Sequence, residues 1–195
     1  MEYSITIDDV YAAAGRLDGI VKRTPVVSAE EIDKVAGRQV LMKCENLQHI
    51  GAFKFRGATN AVIMLGDDAE SGVCTHSSGN HAQALSMAAK NRGVDAYIVM
   101  PRTAPKVKVL GVNNQGAEIT FCEPTLEARE ATAGDIMDRT GAALVHPYDN
   151  PNVIAGQGTA ALEFFLQAGE LDAIVSPVGG GGLMSGTSIT TRATT

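Results

Sequence analysis

The sequence has no tryptophan, no internal repeat and no CxxC pair. Its three cysteines, Cys44, Cys74 and Cys122, are odd in number, and each lies in or beside an apolar, strand-like run. That pattern reads as reduced, buried thiols of a cytoplasmic protein rather than as a disulfide framework. Positive charge is in short supply: 16 Lys and Arg stand against 22 Asp and Glu, for a net charge of −6. This excess of acid argues against a nucleic-acid-binding surface. The start, Met1-Glu2-Tyr3-Ser4, has neither a basic nor an apolar leader segment, so no secretory signal is expected. No run of membrane-spanning length is free of charges and turns, so no membrane partner is expected. His49, His76 and His146 lack the spacing of a metal motif such as HExxH and read as loop or strand-end residues.

What is present is an ordinary globular composition, 195 residues with 45% hydrophobic and 19% charged side chains, and 21 glycines grouped at turns. Thr6 opens a helix whose apolar positions Ile7, Val10, Ala14 and Leu17 recur at helical spacing. Ser28-Ala29-Glu30-Glu31 reads as a capping box for a helix ending at Gly37, and Gln39–Glu45 as a strand. From Val73 onward strands alternate with helices. The strands are placed at Val73–His76, Ala96–Met100, Glu118–Cys122, Ala142–His146 and Ala173–Val178. Such alternation, with apolar and β-branched strands, predicts an α/β fold built on a parallel sheet covered on both faces. The threonine-rich end, Thr190 to Thr195, is expected to fray.

Three stretches carry chemistry. In Gly51-Ala52-Phe53-Lys54-Phe55-Arg56-Gly57-Ala58 a lysine lies in an apolar, small-residue run. Burial disfavours an ammonium, and a desolvated neutral amine attacks carbonyl groups to form a Schiff base. Ser77-Ser78-Gly79-Asn80-His81 follows a strand and opens a helix. It reads as a capped turn when taken alone, or as a carboxylate pocket of hydroxyls and backbone N–H groups. Gly179 to Gly182 also lie between a strand and a helix, where open α/β sheets bind ligands. The run is neither GxGxxG nor a P-loop, and reads equally as a flexible turn or as a phosphate cradle. A reactive lysine, a polar turn and a phosphate cradle together suggest pyridoxal phosphate.

GAFKFRGA, SSGNHAQAL and PVGGGGLMSG, in this order and separation, resemble the fold type II pyridoxal-phosphate enzymes, and among them the serine/threonine dehydratase and serine racemase group. HPYDNPNVIAGQGT, from His146 to Thr159, resembles that group too. The resemblance implies two lobes, each with a mainly parallel sheet flanked by helices. A large cofactor-binding domain would comprise residues 1–66 and 149–195, incomplete here, and a small inserted domain residues 67–148. It implies that Lys54 carries the cofactor and then acts as base at Cα. Phe53 would pack beside the cofactor ring, Asn80 would bond the ring hydroxyl, and Gly179, Gly180, Gly181, Gly182 and Leu183 would hold the phosphate. Ser77, Ser78, Asn80 and His81 would surround the substrate carboxylate, with Arg129 near the entrance. Ser78 matches the racemases' second catalytic residue.

The implied activity is deamination by dehydration of a hydroxy amino acid such as threonine, serine or 3-hydroxyaspartate. The alternatives are an amino-acid racemase and a non-catalytic remnant of the fold. A homodimer is the implied assembly. A divalent cation is a further cofactor in the group, but most of its ligands, and the partner of the ring nitrogen, are expected beyond residue 195. Asp172 matches one outer metal position and reads equally well as a solvated loop acid. Ala29, Glu30 and His49 do not match the group's nucleotide-binding positions. On this reading the chain corresponds to the N-terminal two-thirds of such an enzyme.

Overall fold

The computed structural model describes residues 4–194. Helix α1 spans Ile7–Leu17, and its N-terminus is closed by Asp9, whose carboxylate accepts from the Thr6 N–H at 2.7 Å. The chain continues through β1 (Val26–Val27), α2 (Glu30–Ala36) and β2 (Met42–Lys43). The capping box expected at Ser28 does not form. The first turn of α2 is accepted by the Ala29 carbonyl, one residue later, and Ala29 has no capping side chain. The strand expected over Gln39–Glu45 shrinks to β2, which pairs antiparallel with β1. Two 3-10 turns, Glu45–Leu47 and His49–Gly51, then deliver the chain into α3 (Lys54–Leu65).

The alternating part follows the sequence expectation closely. It runs β3 (Val73–His76), α4 (Asn80–Arg92), β4 (Ala96–Pro101), α5 (Lys106–Asn113), β5 (Glu118–Cys122), α6 (Leu126–Thr140) and β6 (Ala143–Leu144). The four strands form one parallel sheet in the order β5-β4-β3-β6. Alternation within β4 sends Ile98 and Met100 to one face, with Phe55, Leu85 and Val73. Val99 goes to the other face, with Cys74, Cys122, Ala133 and Ile136. Both faces are therefore apolar, as a parallel sheet covered by helices requires.

Helices α7 (Pro151–Ala168) and α8 (Gly182–Thr194) complete the described chain. A Cβ on Gly156 of α7 would lie 2.7 Å from Gly57 Cα of α3, so only glycine lets these two helices touch backbone to backbone. This contact seats the helix that begins with Lys54. The expected strand at Ala173–Val178 is absent: the segment has no regular secondary structure, with Val175 92% exposed. A strand exists only as a ladder, and no neighbour runs beside this one among the described residues. The second parallel sheet expected in the flanking segments is accordingly represented only by the antiparallel pair β1–β2. The threonine-rich end does not fray as far as Thr194. Thr190, Thr191 and Thr194 each donate to the carbonyl four residues back, and Thr190 is wholly buried against α7.

Beneath α3 lies a buried ionic network. Arg56, 1% exposed, donates to both carboxylate oxygens of Glu45 at 2.8 and 2.7 Å and to Glu163 at 3.2 Å. Glu163 also accepts from Lys43, which donates to Gln167 Oε1 at 2.7 Å and the Thr24 carbonyl at 2.7 Å. The network ties β2, the first 3-10 turn, α3 and α7 into one frame two residues from Lys54.

Candidate active site

Lys54 is the first residue of α3, and its Nζ donates to the Pro147 carbonyl at 2.6 Å. The Phe53 ring centroid is 5.4 Å from Nζ. Burial, and nothing else resolved, holds this amine below the usual lysine range. The loop that presents it is held firmly. Gln48, 3% exposed, accepts from the Lys22 N–H at 2.9 Å and donates to the Lys22 carbonyl at 2.8 Å. Ile50 adopts φ 55°, a left-handed conformation that a β-branched residue takes only when its surroundings impose it.

A cleft of about 510 Å³ opens beside Lys54. Its walls come from the carboxyl ends of all four parallel strands: Ser77–His81 after β3, Lys108 after β4, Arg129 after β5, and Pro147 and Tyr148 after β6. Successive strands step outward from β3 through β4 to β5, and the chain then returns to β6 on the other side of β3. The cleft thus lies where strand order reverses, the place where open α/β sheets take ligands. No Asp or Glu lines it, whereas Lys54, Lys108 and Arg129 do.

The predicted Ser77–His81 turn gathers here. Gly79 is the N-cap of α4 and supplies no side chain, so neither serine closes the helix, whose first N–H groups face the cleft end. Asn80 Oδ1 accepts from Lys108 Nζ at 2.7 Å. The His81 ring is 2% exposed, with Nε2 3.1 Å from the Val145 carbonyl and Nδ1 buried without a partner. Burial drives its pKa down to about 3, so the ring is neutral and Nε2–H donates, welding the start of α4 to the end of β6. Arg129 stands half-exposed in the first turn of α6, its Nε on the Thr125 carbonyl at 3.1 Å.

The glycine run reaches this cleft through Tyr148. A Cβ on Gly180 would lie 2.1 Å from Tyr148 Cδ1, and one on Gly182 would lie 2.9 Å from the Tyr148 carbonyl oxygen. Gly179 and Gly180 are exposed, Gly181 is half-buried, and α8 starts at Gly182, so unpaired N–H groups and a helix N-terminus are presented together, a setting for an anion. Leu183 follows on α8 and, with Phe53, lines a separate apolar groove of about 470 Å³.

Sequence reasoning assigned no role to Lys108, Pro147, Tyr148 or His76. The signals available were the place of His76 at a strand end, of Lys108 in a helix after a strand, and of Pro147 and Tyr148 in the His146–Thr159 stretch. His76, His146 and Tyr148 form a run of edge-on rings at 5.5 and 4.6 Å along the cleft wall. The cysteines are all free, and burial pushes the Cys74 thiol up to about 11, which leaves it unreactive. Asp172 is exposed, and among the described residues no three metal-ligating side chains cluster. No helix among them is long and apolar enough to cross a membrane.

The site is thus a desolvated amine in a cation-lined cleft at the switch point of a parallel sheet, with a glycine run packed on Tyr148 of its wall. The chain belongs to the family described as pyridoxal-phosphate dependent enzyme, whose pattern matches residues 17–195. Among characterised proteins it is 50% identical over 189 residues to beta-hydroxyaspartate dehydratase of Paracoccus denitrificans, covering 96% of this chain and 60% of the relative. It is 48% identical over 190 residues to serine racemase of Dictyostelium discoideum, covering 97% and 59%. A crystal structure of a pyridoxal 5'-phosphate-dependent aspartate racemase superposes with a TM-score of 0.96 at 40% identity, covering 100% of this chain and 61% of that one. The chain thus spans about 60% of the length of the relatives it matches.

Proposed function

We propose that the protein is a pyridoxal-phosphate-dependent ammonia-lyase that dehydrates a hydroxy amino acid, of the threonine, serine or 3-hydroxyaspartate class, to a 2-oxo acid and ammonia. The observation that carries this reading is the Lys54 amine, desolvated and unpaired with any carboxylate, in a cleft lined by cations. The residues present fit the cofactor. At Gly180 and Gly182 a Cβ would strike Tyr148, so only glycine lets the run pack against the cleft wall, and its N–H groups suit a phosphate. Asn80 suits a ring oxygen, and Phe53 a flat ring. Bound there, pyridoxal phosphate supplies an electron sink that acidifies Cα of an attached amino acid.

The chain's own residues do the rest. Lys54 Nζ takes the Cα proton, and burial favours the neutral amine this requires. The uncapped N-terminus of α4, with the Ser77 and Ser78 hydroxyls, binds the substrate carboxylate. From His81 the contribution is its backbone N–H, since its ring is committed to Val145. Arg129 at the rim adds positive charge for an acidic substrate. In this reading two lobes, residues 1–66 with 149–195 and residues 67–148, meet at the cleft. Support comes from its lining, which draws Lys54 from one and Ser77–His81 from the other.

Racemisation is the second reading, favoured by one observation: the Ser78 hydroxyl lines the same cleft as Lys54 and offers a second proton carrier. Incubation with L-serine and L-threo-3-hydroxyaspartate, followed by assay of 2-oxo acid, ammonia and the D-enantiomer, separates the two. Equimolar 2-oxo acid and ammonia is the expected result. Dominant D-amino acid, abolished by Ser78→Ala, would replace dehydration with racemisation.

A further inference from the structure

A side-chain amide offers a ligand either an oxygen acceptor or a pair of N–H donors, because half a turn about its last bond exchanges them. At Asn80 that choice is removed. Lys108 Nζ lies 2.7 Å from Asn80 Oδ1, and an ammonium has donors only. The amide oxygen must therefore face Lys108, and the NH2 group must face elsewhere. Lys108 reaches Asn80 from α5, 28 residues further along the chain, and both residues line the cleft. Among the described residues Lys108 has no carboxylate partner, in contrast to Lys43, and its side chain makes no other hydrogen bond. A lysine serving only to brace α5 on α4 has no need of an amide at the cleft wall.

We infer that Lys108 is a positioning residue that locks the Asn80 amide with its N–H donors available to the cleft, so that the site selects a cofactor bearing a deprotonated ring oxygen. The inference rests on the reading of Asn80 as the partner of that oxygen. An amide free to flip would donate to an oxygen anion or accept from a hydrogen-bearing oxygen with little preference between the two. An amide held by a donor-only neighbour favours the anion and gains nothing from an analogue without the oxygen. The ammonium also polarises the amide it binds, which strengthens the opposite N–H donors.

The test is an equilibrium titration of the cofactor-free chain with pyridoxal phosphate and with its 3-deoxy analogue, which lacks the ring oxygen, read by the absorbance of the bound chromophore. Wild-type protein is expected to prefer pyridoxal phosphate by at least about tenfold, the worth of a hydrogen bond to a charged group. In Lys108→Met the preference is expected to fall by about threefold, because the freed amide can still turn its donors to the oxygen but loses the orientation and polarisation that the ammonium gives it. Lys108→Arg, whose guanidinium is also donor-only, is expected to keep it. Lys108→Gln, which can donate or accept, is expected to fall between them and serves should the methionine variant fail to fold. A preference unchanged in Lys108→Met or Lys108→Gln, or one lost equally in Lys108→Arg, overturns the assignment to Lys108. Failure of the wild-type chain to bind either compound overturns the cofactor reading of the cleft itself, and with it this inference.

Discussion

Two groups of cations, one in the scaffold beneath α3 and one along the cleft at its start, are treated oppositely. Lys43 and Arg56 are enclosed with Glu45 and Glu163, each charge answered by another. Lys54, Lys108 and Arg129 line a cleft that contains no carboxylate. Burial lowers the amines of both Lys43 and Lys54, but at Lys43 the hydrogen bond and charge of Glu163 oppose the shift, while at Lys54 no carboxylate does. At Glu163 burial alone would raise the carboxyl, yet Lys43 and Arg56 hold it below the usual range. The difference separates scaffold from site. A compensated cation holds helices in register, and an uncompensated one is reserved for an anion or a carbonyl that arrives later.

The sharpest way to break that distinction is to remove Lys54. In Lys54→Ala, borohydride reduction of the protein incubated with pyridoxal phosphate is expected to leave no cofactor mass on any peptide. Wild type should carry it on the peptide containing position 54. An adduct on another lysine would end the special status of the uncompensated amine.

Next in size is the scaffold. Arg56→Met leaves Glu45 and Glu163 buried without their shared partner and is expected to cost about 3–5 kcal/mol of stability in urea unfolding. A loss under about 1 kcal/mol would mean that water, not Arg56, already compensates these carboxylates.

His81 sits on the border between the two groups, neutral because burial outweighs the Val145 carbonyl that would favour a charged ring. Its folded pKa of about 3 is depressed from 6.5. Its contribution to stability is therefore complete above pH 6.5 and is lost as pH falls toward about 3. Denaturation midpoints taken across that window should decline with acid in wild type. In His81→Gln, which keeps a donor for Val145, the slope should be shallower by up to about 1.4 kcal/mol per pH unit. Identical slopes would place the acid sensitivity elsewhere, in Glu163 for example, whose depressed carboxyl also loses its stabilising contribution as pH falls.

The smallest effect is expected at the exposed pair Lys34–Glu30, 2.9 Å apart on α2. Glu30→Gln should change stability by less than about 0.5 kcal/mol, because solvent screens both partners. A larger change would show that ion pairing outside the interior matters here as much as inside it.

The sequence expectations succeeded where local pattern and burial agree. Val73–His76 was readable to the residue, since a short run set between Gly72 and the Ser77-Ser78-Gly79 turn is buried throughout. Gln39–Glu45 and Ala173–Val178 were misread because their composition favours strand while most of their residues lack a neighbouring chain to pair with. The Thr190–Thr194 turn was misread because propensity ignores hydroxyls that bond back along the helix and a threonine buried against Gly158.

What the sequence determined by itself was the chemistry on offer: a lysine in an apolar turn, a polar turn ahead of a helix, a glycine run between strand-like and helical stretches, and the alternation that makes a parallel sheet. Those are properties of short stretches, set by side-chain type and spacing. Which of them share one cleft was decided only by tertiary structure, because the strand order β5-β4-β3-β6 brings residues 54, 77–81, 108, 129 and 147–148 to one sheet edge. The orientation of Asn80 and the neutrality of His81 were decided there too, since each depends on a partner 28 or 64 residues away that no local pattern announces.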